Sequence, residues 1–96
     1  MYYAKSAPQA RQLRTEAGEW LKQARKKAGL SQIDLAEKLD LKYYTFISQV
    51  ENGFGRVPSE SMEAWGRALG ISPGVFAREL LSYYDPELYR LLFKVK

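Results

Sequence analysis

Four polar side chains near the middle of the chain recur at steps of three and four residues, the spacing that places side chains on one face of a helix. They are Thr45, Ser48, Gln49 and Asn52. Hydroxyl and carboxamide groups donate and accept hydrogen bonds, and a glutamine amide can do both at once with one flat polar partner. This set therefore favours hydrogen-bonded recognition of a polar surface.

The composition removes the commonest catalytic and metal-binding chemistry. The 96 residues contain no histidine and no cysteine. Imidazole and thiolate metal sites, disulfides, and catalysis by Ser/His or Cys/His pairs are therefore excluded. A tyrosine nucleophile at Tyr43 or Tyr44 would need several convergent cationic groups, and the sequence shows no such constellation. We predict no enzyme activity, no cofactor and no metal site.

Length and hydropathy indicate one domain with no membrane partner. No apolar run approaches the roughly 18 residues that cross a bilayer, and the first residues lack the apolar centre of a signal peptide. The absence of cysteine suits a reducing compartment, so we expect a cytoplasmic protein. A chain this short also leaves little space for an effector pocket.

The positive charge is concentrated in the first third of the chain. Residues 1–30 carry seven basic and two acidic side chains, whereas the rest carries eight basic and nine acidic ones. A basic segment is either a phosphate-facing surface or a solvated helix face, and the sequence leaves both open. Four cations are expected to be mainly solubilising, with at most two near a phosphate. They are Lys22, Arg25, Lys26 and Lys27.

Helical spacing dominates the chain, and strand-like alternation is not evident, so we predict an all-α fold. Apolar residues from Leu13 to Ala28 form the inner face of a first helix, and Gly29 ends it. Its start is open, because Pro8 could begin a long helix and Thr15 could cap a shorter one. Residues 1–14 are therefore either an N-terminal arm or a helix extension.

Two short helices are predicted next. Ser31 can cap the first of them, and the second runs from about Tyr43 to Asn52. Ala36 is small enough to let the two cross at a steep angle, which leaves the outer face of the second free. The apolar residues expected beneath this joint are Leu35, Leu39, Phe46, Ile47 and Val50.

Proline and glycine divide the remaining chain into three further helices. Pro58 suits the start of one that ends at Gly70, and Ser72-Pro73 and Asp85-Pro86 suit the starts of the last two. Trp20 and Trp65 are expected in the core. We divide the chain into the arm or extension at 1–14, a main domain at 15–82 and a C-terminal helix at 83–96.

The order of these segments resembles the Xre/lambda-repressor (Cro-like) family of helix-turn-helix proteins over roughly residues 20–80. The resemblance is carried by three stretches: Arg25-Lys26-Lys27-Ala28-Gly29-Leu30-Ser31-Gln32, Glu51-Asn52-Gly53 and Pro58-Ser59. It implies a five-helix lambda-repressor-like domain, here with an additional C-terminal helix. It also implies a dimer on a two-fold-symmetric DNA operator and regulation of transcription, most simply repression.

The chain departs from the family pattern in its turn. Asp40 stands where the family usually has glycine, so a left-handed residue there would carry some strain unless aspartate tolerates it. The interval from Leu39 to Glu51 is one residue longer than usual. We therefore position the recognition helix from its C-terminal end, where Ile47 and Val50 fix the inner face. The chain also continues past the fifth helix.

With this anchor, the resemblance predicts two sets of DNA contacts. The expected base contacts, among which the Gln49 amide suits adenine, are Thr45, Ser48, Gln49, Tyr44 and Asn52. The expected phosphate contacts, among which the glutamine clamps a phosphate in the family, are Gln32, Ser31, Lys42, Tyr43 and Arg56. Either tyrosine could instead be a core aromatic, and Asn52 could be a plain helix-end residue.

The C-terminal segment is unusually apolar for one short helix. The surplus suggests a self-complementary dimer surface, although it could also complete the core of its own chain. The predicted interface residues are Leu88, Leu91, Leu92, Phe93, Tyr84 and Tyr89. The alternative function is an adaptor or antitoxin, bacterial or phage, that binds a partner protein through this segment.

Overall fold

Residues 2–95 are the part of the chain that the computed structural model describes, with side chains described for residues 9–95. This part contains six α-helices, one 3₁₀ turn and no strand, so the predicted all-α class is confirmed. The helices are α1 (Tyr2–Lys27), α2 (Gln32–Lys38), α3 (Thr45–Glu51), α4 (Met62–Ala68), α5 (Pro73–Tyr84) and α6 (Pro86–Phe93), with the 3₁₀ turn at Ser59–Ser61.

Helix α1 begins earlier than either predicted start. Its backbone is helical from Tyr2, upstream of both Pro8 and Thr15. The Thr15 hydroxyl donates to the Arg11 carbonyl within the helix (3.0 Å), so it does not cap a helix start. Residues 2–14 are thus a helical extension of α1, and Met1 lies outside the described residues.

The turn between α2 and α3 uses aspartate where a glycine would be easier. Asp40 has φ of +57°, in the left-handed region that costs a residue with a Cβ about 1–2 kcal/mol. Aspartate is one of the few side chains that visit this region. The Leu41 amide donates to the Ala36 carbonyl (2.8 Å) and closes the turn. The predicted left-handed residue is therefore present at this position.

The core lies where α1, α2, α3, α4 and α5 meet. Ala36 is buried and lets α2 pass close to α3, as its size predicts. Trp65 is buried, and Phe46 meets it edge to face at 6.4 Å. Trp20 is only half-buried, with its ring 5.8 Å from Phe76, so it borders the core. The buried apolar residues are Ala17, Leu21, Leu35, Ala36, Ile47, Val50, Val57, Trp65, Leu69, Phe76 and Leu80.

The last two helices begin at the predicted serine and aspartate positions followed by proline. Ser72 precedes α5, and Asp85 caps α6, with its Oδ1 accepting from the Leu88 amide (3.1 Å). Helix α6 packs on α5 and contains no buried residue. Among the helices described, none has the length and apolarity needed to span a bilayer.

Candidate nucleic-acid interface

The outer face of α3 carries a row of polar side chains, whereas its inner face is apolar and buried. Thr45, Gln49 and Asn52 are exposed and Ser48 is half-buried. The Asn52 amide nitrogen lies 3.4 Å from the Ser48 hydroxyl. Asn52 also follows the last residue of the helix, so it occupies the helix-end position. The structure therefore brings the four residues of this row together on one accessible face.

A buried ion pair holds the C-terminal end of α3 against α1. Arg25 of α1 meets Glu51 with two hydrogen bonds, Nε to Oε2 at 2.7 Å and Nη2 to Oε1 at 3.1 Å. A third bond runs from Arg25 Nη1 to the Leu30 carbonyl (2.8 Å). A two-pronged guanidinium–carboxylate contact fixes orientation as well as distance. The prediction that Arg25 is a solubilising charge is wrong, because its side chain is buried beside this carboxylate.

Gln32 joins the same buried pair. Its Nε2 donates to Glu51 Oε1 (3.0 Å), so α1, α2 and α3 all meet at one carboxylate. An amide nitrogen carries two hydrogens, and only one is used in this contact. Gln32 can therefore brace the end of α3 while its second N–H donates to another acceptor.

Helices α1 and α3 also touch backbone to backbone. A Cβ built on Gly18 would lie 2.3 Å from the Glu51 carbonyl oxygen, so any larger residue there would push the helices apart. One turn earlier on α1, Thr15 lies against Gly53, whose φ is +83°. The absence of side chains at these glycines lets α1 lie directly along the C-terminal end of α3.

Helix α2 starts with a reciprocal cap. The Ser31 hydroxyl oxygen accepts from the Asp34 amide (2.9 Å), and Asp34 Oδ2 accepts from the Ser31 amide (2.9 Å). The Ser31 backbone hydrogen bond lowers the pKa of Asp34 below its ordinary value. The serine hydroxyl hydrogen stays available, so Ser31 can still donate to a ligand.

Two tyrosines and a lysine precede α3. Tyr43 and Tyr44 are both exposed, so neither is a core aromatic. The Lys42 ammonium lies 5.5 Å from the centre of the Tyr43 ring, within reach of a cation–π contact. Tyr44 directly precedes the first residue of α3, beside Thr45. These side chains flank the N-terminal end of the polar row.

Arg56 lies beyond the other end of α3. It is exposed, and its guanidinium carbon lies 4.5 Å from the centre of the Tyr84 ring. The Tyr84 hydroxyl accepts from the buried Val57 amide (3.1 Å). Burial raises the pKa of Tyr84. The tyrosine thus packs within its own chain and holds the loop that carries Arg56.

The family assignment agrees with this geometry. A family model described as helix-turn-helix matches residues 21–76, more than half of the chain. The chain belongs to the Xre/lambda-repressor-type helix-turn-helix family. The family is one of DNA-binding regulators and is typically non-enzymatic. No curated protein sequence matches the chain.

The helix-turn-helix match leaves two segments uncovered, of which the C-terminal one is apolar on its surface. Leu88, Leu91, Leu92 and Phe93 are all exposed on α6. Tyr89 is half-buried, with its ring 5.0 Å from that of Phe93. A groove of about 540 Å³ runs beside this helix, lined by residues of α4, α5 and α6 that include Met62, Leu81 and Phe93. Tyr84 borders the same groove.

Sequence reasoning does not identify three residues that position the interface. They are Arg25, Gly18 and Thr15. Arg25 and Glu51 are 26 residues apart, and no local pattern reveals such a pair. The available signal is that Arg25 and Glu51 are the first residues of two of the three family-like stretches, which a helix-turn-helix fold brings together.

Proposed function

We propose that this helix-turn-helix protein binds double-stranded DNA in a sequence-specific manner and regulates transcription, with α3 in the major groove. One observation carries the proposal. The inner face of α3 is buried in the core, and its accessible outer face carries the polar row of Thr45, Ser48, Gln49 and Asn52. Base edges in the major groove present donors and acceptors in patterns that differ between base pairs. A rigid row of amides and hydroxyls suits that surface.

Gln49 is the central base contact in this proposal. Its exposed amide can pair with the N6 and N7 edge of adenine through two hydrogen bonds. Thr45 and Tyr44, nearer the N-terminus of α3, can contact bases and thymine methyl groups. Ser48 and Asn52 already approach each other, so they contribute as a pair.

The phosphate contacts surround this row. Ser31 and Gln32 at the start of α2 keep one donor hydrogen each after their internal bonds. Lys42 and Tyr43 precede α3, and Arg56 follows it. Such contacts set the position of a protein on DNA without specifying sequence. Binding should therefore weaken steeply as the salt concentration rises.

Selection of bound sequences from a random duplex pool tests the proposal. A single enriched motif is expected, and Gln49→Ala should weaken binding to that motif by about 1–3 kcal/mol, the value of a bidentate base contact. Lys42→Ala should weaken all duplexes about equally and flatten the salt dependence. Failure to enrich any motif, or an unchanged affinity of Gln49→Ala in a footprinting titration, would show that α3 does not contact bases.

We further propose that the protein acts as a dimeric repressor on an inverted repeat, through the exposed face of α6. Four large apolar side chains there are in contact with water, which favours association with a matching surface. Half-sites about one helical turn, roughly 10 base pairs, apart are expected. Sedimentation equilibrium should show a dimer that Leu92→Glu disrupts. Reporter expression should fall when the selected motif is placed over a promoter.

A second candidate function rests on the same apolar face. An adaptor or antitoxin would cover α6 with a different protein, and the isolated chain would then be a monomer that aggregates unless the partner is co-expressed. A stable homodimer at micromolar concentration contradicts this alternative. A soluble 1:1 complex formed only on co-expression, and lost in Leu92→Glu, supports it.

A further inference from the structure

We propose that Arg11 and Arg14 of α1, together with Arg56, form an accessory phosphate-binding surface that extends the DNA contact beyond α3. The proposal rests on the proposed DNA binding, and it assigns a ligand to a segment that the family match does not include, since that match begins at residue 21. The ligand is the sugar-phosphate backbone of duplex DNA that flanks the recognised bases.

The path of α1 places these arginines beside the interface. Gly18 lies against the Glu51 carbonyl at the end of α3, and Thr15 lies against Gly53 just after it. Residues three and four positions apart share one face of a helix. Arg14 and Arg11 therefore continue the same line along α1, past the end of α3 and beside the loop that carries Arg56.

Tyr84 lies close to both Arg56 and Arg14. Arg56 covers its ring at 4.5 Å. Arg14 and Tyr84 together line one small cavity of about 230 Å³ between α1 and the α5–α6 turn. Burial is the main influence on the Tyr84 hydroxyl and raises its pKa, while the charges of both Arg56 and Arg14 act in the opposite direction. Arg14 and Arg56 therefore both lie close to the same tyrosine.

None of the acidic groups near this surface forms an ion pair with its arginines, among the residues whose side chains are described. Asp85 accepts from the Leu88 amide (3.1 Å), Glu87 pairs with Arg90 (2.6 Å), and Glu16 accepts from the Gln12 amide (3.0 Å). Across residues 9–95, the ion pairs are Arg25–Glu51, Arg67–Glu63 and Arg90–Glu87. The three arginines of the proposed surface belong to none of them, so their charge is not compensated by a direct carboxylate contact.

Uncompensated arginines at this position favour phosphate as the ligand. The planar guanidinium presents paired donors that match a phosphate group. The backbone of a duplex that holds α3 in its major groove must pass the ends of that helix. Arg11 and Arg14 are exposed, and they lie at the end of α3 opposite to Lys42 and Tyr43. The two ends of α3 would then each be flanked by phosphate contacts.

The test compares Arg11→Gln/Arg14→Gln with Arg67→Gln/Lys94→Gln, a matched variant that removes two exposed cations from α4 and from the end of α6. Glutamine keeps helix propensity, so helix content and Tm should be unchanged in both. Each protein is titrated with two duplexes recovered by selection. The short one ends at the selected bases, and the long one has about ten further base pairs, one helical turn, on each side.

The α1 variant should bind the long duplex about tenfold more weakly than wild type at physiological salt. Its slope of log affinity against log salt should be smaller by about two, one for each lost phosphate contact. Both effects should be much smaller on the short duplex and absent from the matched variant. Arg14→Lys should retain most of the salt slope, because it retains the charge.

Equal affinities of the α1 variant and wild type for the long duplex overturn the inference, and so does an equal loss in the matched variant. Gln49→Ala separates this failure from failure of the proposed function. If Gln49→Ala weakens binding and the α1 variant does not, only the accessory surface is wrong. If wild type selects no duplex sequence at all, both proposals are wrong.

Discussion

The α2–α3 region exposes a polar surface above a buried core, whereas helix α6 exposes an apolar surface and has no buried residue. Helix α3 presents polar side chains, and beneath them lie Ile47, Val50 and the fully bonded Arg25–Glu51 pair. Helix α6 presents leucines and a phenylalanine, and none of its residues is buried. The first surface is held from three helices, whereas the second is held by packing on α5.

This difference shows how surface chemistry relates to the support beneath it. Hydrogen bonds to the edges of nucleobases depend steeply on distance and angle. The side chains that make them therefore need a helix whose position is fixed. Association of apolar surfaces is non-directional and scales with buried area. An apolar surface can therefore gain from burial against a partner without exact positioning. The polar and apolar surfaces of this protein suit different ligands.

The largest expected effect is loss of the buried carboxylate. Glu51→Gln should destabilise the fold by about 3–5 kcal/mol, because it leaves the Arg25 charge buried without its counter-ion. Denaturant unfolding measures this change. The double variant Arg25→Met/Glu51→Met should recover much of the loss, since an apolar pair has no charge to desolvate. A loss below about 1 kcal/mol in Glu51→Gln, typical of an exposed pair, would mean that this ion pair does not secure α3 to α1.

The next effect comes from the close approach of α1 and α3. Gly18→Ala should destabilise by about 2–3 kcal/mol, because the new methyl group would collide with the Glu51 carbonyl. Alanine is normally the better helix former by about 1 kcal/mol. Gly74→Ala in α5 is the matched control, since open space surrounds that position, and it should be neutral or stabilising. Equal Tm values for the two variants would contradict the described contact.

A smaller effect is expected where the C-terminal part of the chain touches the loop after α3. Tyr84→Phe removes the acceptor of the buried Val57 amide. An unpaired buried donor costs about 1 kcal/mol or more. Tyr44→Phe, which changes an exposed hydroxyl, serves as the control in the same thermal unfolding experiment. If both variants have the same Tm as wild type, the Tyr84 hydroxyl does not stabilise this loop.

The smallest effect is the acid sensitivity of the α2 cap. The folded-state pKa of Asp34 is lowered from 3.8, chiefly by the Ser31 backbone hydrogen bond. Its contribution to stability is therefore complete above that ordinary value and is lost as the pH falls through the lower folded value. The Tm difference between wild type and Asp34→Asn should be present at neutral pH and shrink in acid below the ordinary value. A difference that grows in acid would contradict this sign.

Local chemistry makes much of the fold predictable from the sequence. Gly29, Gly53 and Gly70 all have positive φ at helix ends, where the sequence predicts stops. Ser31 caps α2 as predicted. These features depend on a few neighbouring residues, so they can be inferred without knowing what lies across the core. The exposed positions along α3 follow in the same way from the helical period.

The remaining features depend on contacts between distant residues. Arg25 is followed by two lysines at the end of α1, and only folding brings Glu51 to it. Gly18 lies within a regular helical stretch, where glycine has no local role. The early start of α1 is not marked by a cap or an apolar stripe in residues 2–8. Tertiary contacts therefore account for the support of the interface, while sequence pattern accounts for its surface.

The Glu51 junction has a consequence for the long turn before α3. Because α1 holds α3 by its last residue, one extra residue in the turn before α3 need not rotate Gln49 or change which side chains face outward. The insertion instead alters the reach of Lys42 and Tyr43, which precede the helix. Under the proposed DNA binding, mutations that move only Lys42 and Tyr43 should therefore change overall affinity more than sequence preference.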